Sequence, residues 1–340
     1  MGGKIQEPPS AGVSLWDLSS SHRRSSHFIV GAPSANANSL SFNQDGSKLS
    51  YGTDAGVVAT IDMESGQEKI LLSASGFPIE RVAWSPSEDV LAALGWDGVV
   101  RLWLGSEGKP IERHYLEIFE GGGLHAAAWS VDGRYFAGGG SYGPLFMLDR
   151  NCNYCEVAQS GAINGLVEDL VVLNGGQYVV ALPSQELSLI VWDVEDKLVK
   201  RVPFEDIQRA PEVIVEIGRE DQFTTLGDQL TRWALLRDGE LVRLCVEDNI
   251  AGYQLDEVEG VITAVSDFNH SIVLFRGPER LRLAVLSGHS GDILDLDFAR
   301  EGTRLASGDR NGEIIIWDLR DALQDGEAIQ GEIDATLGIP

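Results

Sequence analysis

The sequence has few cysteines and no long apolar run. Its 340 residues contain three cysteines, Cys152, Cys155 and Cys245, too few for the disulfide framework that stabilises secreted domains. The first residues, MGGKIQEPPSAG, lack the apolar core of a secretory signal, and no run approaches the roughly 18 apolar residues of a membrane-spanning helix. We therefore expect an intracellular protein, cytoplasmic or nuclear.

Basic residues are also scarce. Lys and Arg total 26 against 52 Asp and Glu, which gives a formal net charge of -26. Such a field repels nucleic-acid phosphates and anionic membranes and attracts basic proteins, so we expect protein partners, some with basic segments, and no direct nucleic-acid or membrane binding. Residues 205–259 hold 14 of the acidic residues against five arginines, which predicts an acidic sector. Alternatively, the charge serves only solubility.

Residue patterns typical of catalysis or metal binding are largely missing. Cys152 and Cys155 form a Cys-x-x-Cys, but a zinc site needs two further ligands and the redox motif needs a following helix; we interpret both as ordinary turn residues. The six histidines neighbour no Ser or Cys in a nucleophile motif, and the Gly-Gly-Gly runs at 121–123 and 138–140 lack the Lys-Ser/Thr of a phosphate loop. We predict no enzymatic activity, no cofactor and no metal ion.

The sequence does contain a repeat of about 40 to 45 residues. Similar segments, in which alternating apolar residues lead into a turn, recur as SLSFNQDG (39–46), RVAWSPSE (81–88), AAAWSVDG (126–133), DLVVLNGG (169–176) and DLDFAREG (295–302). Two more segments of strand period follow each, and a fourth leads to the next unit. One four-stranded sheet cannot bury both faces, but a ring of sheets can. The repeat therefore predicts an all-β, seven-bladed β-propeller of four-stranded antiparallel blades.

The predicted propeller is a single domain over residues 12–319, between a flexible N-terminus (1–11) and an acidic tail (320–340). We place its blades near 34–76, 77–121, 122–161, 162–206, 207–250, 251–288 and 289–319. The region 207–288 matches the repeat least well, so the count there could differ by one. An N-terminal strand should close the ring: the favoured candidate is the strand at 27–33, which contains HFIVGA (27–32), and the alternative is GVSLWDL at 12–18.

The repeats resemble those of the WD-repeat β-propeller family. The resemblance depends on Gly288-His289 with Trp317-Asp318, on Trp192-Asp193, and on the degenerate pairs Ile61-Asp62, Trp103-Leu104 and Leu148-Asp149. In the last blade it implies a buried hydrogen-bonded network of His289, Ser307 and Trp317. The fourth member is usually an Asp six residues before the Trp; here that position is Asn311, so we expect a weaker network.

The strand pattern also predicts where the acidic and aromatic side chains lie. Alternation points Asp295 and Asp297 toward the central channel, where we expect them to be solvated. The loops on one face of the ring bring together five candidate partner-binding residues, namely Phe77, Trp96, Tyr142, Gln185 and Arg310. Aromatic and Arg side chains commonly anchor interfaces, although Trp96 and Tyr142 could instead cover neighbouring blades.

Three functions are consistent with these patterns. The leading one, which the family resemblance implies, is a non-enzymatic scaffold that presents the aromatic rim and acidic sector to protein partners in a multiprotein complex. The second is a chaperone or escort of a very basic client, such as a ribosomal protein or histone. The third is a metal-binding or catalytic propeller that uses the Cys-x-x-Cys or the channel carboxylates.

Overall fold

A computed structural model describes most of the chain. The described residues are 35–73, 75–105, 107–111, 116–117, 122–204, 210–217, 221–248, 250–258, 261–277, 280–320 and 323. The candidate closing strands at 27–33 and 12–18, the N-terminus at 1–11 and nearly all of the predicted tail lie outside them.

Within the described residues, the strands form seven antiparallel sheets, called blades 1 to 7 in chain order. Strands that follow one another in the chain are hydrogen-bonded neighbours, except that the short fifth strand of blade 2 pairs with the third strand of that blade. Blade 1 contains β1 (Ala37–Phe42), β2 (Lys48–Thr53), β3 (Val58–Asp62) and β4 (Glu68–Leu72). Blade 2 contains β5 (Ile79–Trp84), β6 (Val90–Gly95), β7 (Val99–Leu104), β8 (Lys109–Pro110) and β9 (Leu116–Glu117). Blade 3 contains β10 (Leu124–Trp129), β11 (Tyr135–Gly140), β12 (Pro144–Asp149) and β13 (Cys155–Ala162).

The remaining blades repeat this pattern. Blade 4 contains β14 (Val167–Leu173), β15 (Tyr178–Pro183), β16 (Ser188–Asp193) and β17 (Leu198–Pro203). Blade 5 contains β18 (Val213–Glu216), β19 (Gln222–Leu226), β20 (Leu230–Leu235) and β21 (Leu241–Glu247). Blade 6 contains β22 (Leu255–Val258), β23 (Ile262–Ser266), β24 (Ser271–Arg276) and β25 (Leu281–Ser287). Blade 7 contains β26 (Ile293–Phe298), β27 (Arg304–Asp309) and β28 (Ile314–Asp318).

This arrangement confirms the seven-bladed all-β propeller, including two blades in the divergent region 207–288. In blade 7 the described residues supply three strands, and the N-terminal strand predicted to complete this blade lies outside the described residues. Short 3-10 turns at Arg150–Cys152 and Asn174–Gly176 are present in blades 3 and 4. The described segments contain no helix that is long and apolar enough to cross a membrane.

The hydrophobic core lies between neighbouring blades. Trp192, fully buried on the third strand of blade 4, packs in one cluster with Leu145 and Met147 of blade 3. Blade 1 shares a cluster with Ile314 and Ile316 of blade 7, so the first and last blades are in contact. Each sheet thus covers the face that its neighbour could not bury alone, which is why the repeat forms a ring.

The innermost strands are joined by side chains that accept hydrogen bonds from the next blade. Asp295 of blade 7 accepts from the Leu40 amide at 2.7 Å, and Asp297 accepts from the Phe42 amide at 2.6 Å. The prediction that these carboxylates are merely solvated was therefore wrong. The alternation along the strand correctly predicted that both side chains point to the channel. It could not predict that the inner strand of the adjacent blade presents unpaired backbone amides to them.

Arg81, on the inner strand of blade 2, reaches across the central channel. Its guanidinium lies 2.8 Å from Asp169 of blade 4 and 3.9 Å from Asp295 of blade 7. Burial raises the pKa of Asp295 to about 6, although Arg81 and the Leu40 amide act in the opposite direction. Because blades 2, 4 and 7 are not neighbours, this cluster braces the ring across its centre.

Cys152 and Cys155 are joined in a disulfide, with their Cα atoms 5.4 Å apart. Cys152 lies in the turn between β12 and β13, where the sequence placed both cysteines, and Cys155 is the first residue of β13. They are not the ordinary turn residues we expected. Two cysteines at this spacing can form a disulfide, bind a metal ion or do neither. Which of these occurs depends on the conformation of the turn, which the sequence does not show. Cys245 is free and exposed.

Candidate protein-interaction face

The loops of the seven blades divide between the two faces of the ring. In a four-stranded meander, the loop between the second and third strands and the loop leading to the next blade are at the same end of the sheet. We call the face formed by these loops the upper face. The loops between first and second strands and between third and fourth strands form the lower face.

Two glycines position the rim residues of blades 2 and 3. A Cβ atom on Gly95 would lie 2.1 Å from the Pro78 carbonyl oxygen, and one on Gly140 would lie 1.9 Å from that of Gly123. Glycine therefore lets the incoming loop approach the end of the second strand closely. The amide of Trp96 then donates to the Pro78 carbonyl oxygen at 3.0 Å, which fixes the start of the loop that carries the indole.

Trp96 packs partly against neighbouring side chains and is also exposed to solvent. Its indole N–H donates to Glu80, and its ring packs edge-on against His125, with centroids 5.2 Å apart. The side chain is nevertheless 53% exposed. Burial lowers the pKa of His125 to about 4, so this imidazole is neutral at physiological pH and adds no positive charge beneath the indole.

Tyr142 is more exposed than Trp96, at 68%. Its backbone has a φ of 55°, a left-handed conformation that is uncommon outside glycine, and its amide donates to the Gly165 carbonyl oxygen at 2.8 Å. Its hydroxyl accepts from the Gln185 amide at 3.3 Å. Tyr142 and Gln185 therefore form a bridge between blades 3 and 4 at the upper surface.

Phe77 and Arg310 complete the predicted set. Phe77 precedes blade 2 and is 52% exposed. Arg310 is in blade 7, where its side chain lies 3.7 Å from Asp292. His270 of blade 6 also contacts Asp292, at 3.2 Å. These contacts group Arg310 with blades 6 and 7, whereas Trp96, Tyr142 and Gln185 belong to blades 2 to 4.

Sequence reasoning missed two exposed apolar residues on this face. Phe268, in the loop between β23 and β24, is 56% exposed and packs edge-on against Tyr253 with centroids 4.7 Å apart. Leu187, in the corresponding loop of blade 4, is also exposed. Phe268 lies in the region that matches the repeat least well, which is why its loop position was not recognised. The aromatic rim, as used below, means Phe77, Trp96, Tyr142 and Phe268.

The same loops carry mainly acidic residues. Their described parts contain Asp54, Asp97, Glu186, Glu212, Asp228, Asp248, Asp267, Asp292 and Glu313, and their one Lys or Arg is Arg310. Several of these carboxylates are partly neutralised: Asp97 pairs with Arg101 and Glu186 with Arg201. Asp228, in the upper loop of blade 5, is exposed. The upper face therefore combines aromatic side chains with a negative field.

Part of the acidity predicted for residues 205–259 is internal. Glu257 is buried and forms ion pairs with Arg232 and Arg280, the latter at 3.0 Å. Asp256 accepts from the Phe298 amide at 2.6 Å. These carboxylates join blades 5, 6 and 7 instead of facing a partner. The acidic surface of this sector is thus smaller than the composition suggests.

The buried network beneath the upper face of blade 7 differs from the expected one. The imidazole of His289 lies 2.6 Å from the Ser307 hydroxyl, which accepts from the Trp317 indole N–H at 2.8 Å. The fourth member is Asp309, 3.1 Å from the other ring nitrogen of His289. Asn311 is exposed. The assignment of Asn311 is therefore corrected to Asp309, which carries a charge.

Asp309 is held by several donors. Its carboxylate accepts from the amides of Gly291, Asn311 and Glu313 at 3.2, 2.9 and 2.8 Å. Burial alone would raise the pKa of Asp309, but the bonds from His289 and the Glu313 amide outweigh burial and lower it. His289, Asp309 and Glu313 are close enough to share a metal ion. However, both oxygens of Asp309 and both ring nitrogens of His289 already have protein partners.

A cavity of about 570 Å³ opens at the lower mouth of the channel. Its walls include Trp84, Trp129, Asp256 and Asp297. Burial and the neighbouring Asp256 hold the pKa of Asp297 well above its usual value, and burial raises the pKa of Asp256 to about 7. Both carboxyl groups accept an amide of an adjacent blade, so each has a structural use that requires neither metal nor substrate.

Comparison with known proteins agrees with this architecture. The family model described as WD domain, G-beta repeat matches residues 67–103 and 281–318. WD repeat and HMG-box DNA-binding protein 1 of Xenopus laevis is 24% identical over 169 residues, which are 48% of this chain and 15% of that protein. The chain thus matches a small part of that relative's length.

A solved structure shows the same fold over most of the chain. The β-propeller domain of Cps50 (Swd1) from Myceliophteria thermophila superposes with a TM-score of 0.71 and covers 84% of this chain and 96% of that domain. The two sequences are 16% identical, so this likeness concerns the fold alone.

Proposed function

We propose that the upper face of this chain binds a protein partner, because parts of the chain match the WD-repeat family model and propellers of that family generally act as non-enzymatic scaffolds for other proteins. The partner contributes a segment that combines apolar and basic side chains. The protein would act within an intracellular multiprotein complex, in the cytoplasm or nucleus, and not as an enzyme.

The observation that carries this proposal is the aromatic rim. Its four side chains belong to loops of blades 2, 3 and 6 and of the connection into blade 2, and all are exposed on one face. Large aromatic side chains supply much contact area at little cost in conformational entropy, which is why they are common at the energetic centres of interfaces. Four such residues on one set of loops favour recognition over a purely structural role.

Charge selects the kind of partner. The described upper loops carry one Arg, Arg310, among many carboxylates, and the whole chain has a net charge of -26. A basic segment would be attracted to this face and oriented by it. Nucleic acid would be repelled; the DNA binding stated in the name of the Xenopus relative belongs to that protein, and this chain matches 15% of it.

An affinity-purification experiment tests the proposal. The tagged chain and a Trp96→Ala/Tyr142→Ala double variant are purified from the same lysate, and the recovered proteins are quantified by mass spectrometry. Truncating two interface anchors should reduce recovery of the main partner by roughly ten-fold or more. Leu198→Ala is the matched control, because Leu198 is an exposed apolar residue on the outer strand β17.

A second pair of variants measures how much the negative charge of the upper face, as distinct from its aromatic side chains, contributes to partner binding. Asp228→Lys reverses a charge on the upper face, whereas Glu64→Lys makes the same change in a lower-face loop. Raising the ionic strength should weaken binding of the unmodified chain, and Asp228→Lys should weaken it more than Glu64→Lys does. Equal recovery with the aromatic double variant and with Leu198→Ala would contradict the proposed face.

A further inference from the structure

We propose that the Cys152–Cys155 disulfide is a reversible redox site whose reduction loosens the lower-face junction between blades 2 and 3. This inference is independent of the proposed upper-face binding. The disulfide lies in the loop between the third and fourth strands of blade 3, on the lower face. The co-substrate of the site is a thiol reductant, either a small thiol or a protein dithiol.

The position of the disulfide suits thiol exchange. Both cysteines are exposed, so a reductant thiolate can reach a sulfur without unfolding the blade. When an external thiolate attacks the disulfide, neither cysteine of the protein has to act as the nucleophile. A helix that lowers the pKa of the first cysteine, as in an oxidoreductase motif, is therefore not required. Reoxidation is favoured because the two Cα atoms are only 5.4 Å apart in a four-residue segment.

The two residues between the cysteines have an unusual backbone. Asn153 and Tyr154 have φ values of 59° and 60°, consecutive left-handed conformations that side chains with a Cβ atom disfavour. Two backbone bonds hold this turn: the Asn153 amide donates to the Arg150 carbonyl oxygen and the Tyr154 amide to that of Asp149. The disulfide adds a covalent restraint, so its reduction should increase opening of the turn.

The turn carries contacts that join two blades. The Tyr154 ring is buried and lies edge-on to Trp129, with centroids 5.9 Å apart, while its hydroxyl donates to Glu88 of blade 2 at 3.3 Å. Arg150 contacts the same Glu88 at 3.3 Å and the Ser87 hydroxyl at 3.2 Å. Opening of the turn would therefore be transmitted to the loop of blade 2 that contains Ser87 and Glu88.

The chemical step is a two-electron exchange. A reductant thiolate attacks one cysteine sulfur, forming a mixed disulfide and releasing the other cysteine as a thiolate, which takes a proton. A second reductant thiol then displaces the first cysteine. The protein disulfide gains two electrons and two protons, and the two reductant thiols are oxidised to a disulfide.

Redox titration of the full chain tests the proposal. The protein is purified in air, equilibrated with mixtures of reduced and oxidised dithiothreitol, and analysed by alkylation mapping and hydrogen exchange. Cys152 and Cys155 should become alkylated together in one two-electron transition. Amide exchange at 152–156 should become roughly ten-fold faster on reduction, with a smaller increase at 85–89.

Two variants serve as controls. Cys152→Ser/Cys155→Ser should show the faster exchange with or without reductant, and Cys245→Ser should respond as the unmodified chain does. Alkylation of Cys152 and Cys155 in the air-purified protein would overturn the proposal. So would a reduced protein whose exchange at 152–156 and 85–89 equals that of the oxidised protein.

Discussion

Replacing Asp309 should destabilise the propeller far more than replacing Asn311, although only Asn311 occupies the sequence position usual for the buried network. The Asp309 side chain is inaccessible to solvent and accepts from His289 and from three backbone amides. In Asp309→Ala all of these donors lose their acceptor at once. Asn311→Ala removes one exposed bond, from its side-chain amide to the Ser290 hydroxyl, and keeps its backbone amide.

The size of the effect follows from these partners. A buried donor left without an acceptor costs about 1–3 kcal/mol, and removal of one member of a buried charged network typically costs about 3–5 kcal/mol in total. We expect Asp309→Ala to lower the free energy of unfolding by about 3–5 kcal/mol. Asn311→Ala should change it by less than about 0.5 kcal/mol, as for most exposed substitutions.

Urea unfolding at pH 7, followed by tryptophan fluorescence, measures both values. Because the pKa of Asp309 is lowered in the folded protein, the stabilisation by its carboxylate is present above the unfolded-state pKa and is lost as the pH falls through the folded-state pKa. The difference between the unmodified chain and Asp309→Ala should therefore shrink in acid. Equal stability of the two variants at pH 7 would refute the assignment of Asp309 to the network.

Two further substitutions probe other buried carboxylates. Glu257→Gln should lower the free energy of unfolding by about 3–5 kcal/mol, because Arg232 and Arg280 lose their shared carboxylate; a neutral result in urea unfolding would contradict this. Burial raises the pKa of the Asp256 carboxyl group to about 7. The protonated carboxyl group therefore stabilises the fold fully below its unfolded-state pKa, and this stabilisation is lost as the pH rises through 7. Asp256→Asn should match the unmodified chain near pH 4 and be more stable by about 3–5 kcal/mol at pH 8, because each pKa unit corresponds to about 1.4 kcal/mol; a gain independent of pH would exclude this reasoning.

The fold could be predicted from the sequence because the propeller repeats one local pattern. Segments such as RVAWSPSE and DLDFAREG mark the first strand and its turn, and the following strands keep a period of two. This regularity extends even to the divergent blades 5 and 6. The residues of the proposed interaction face were predicted only from their loop positions. Phe268 was missed because the repeat boundaries are hardest to assign in its blade.

The chemistry of single side chains was harder to predict. A consensus position led to Asn311, yet the group that reaches His289 is Asp309, at the end of β27, where it also accepts the amides of the following turn. Similarly, the alternation along the strand predicted that Asp297 points to the channel, but it did not predict the hydrogen bond that Asp297 accepts from the Phe42 amide of another blade. Such pairings depend on contacts between residues far apart in the chain, which a local pattern does not contain.

Footprinting of a partner complex tests the central claim most directly. The recovered complex and the free chain are compared by hydrogen exchange and by oxidative labelling of exposed side chains. Binding at the upper face should protect 96–98, 141–143 and 267–270 and leave the lower-face loops at 43–47 and 85–89 unchanged. Protection confined to the lower-face loops, with Trp96 and Tyr142 labelled as in the free chain, would contradict it.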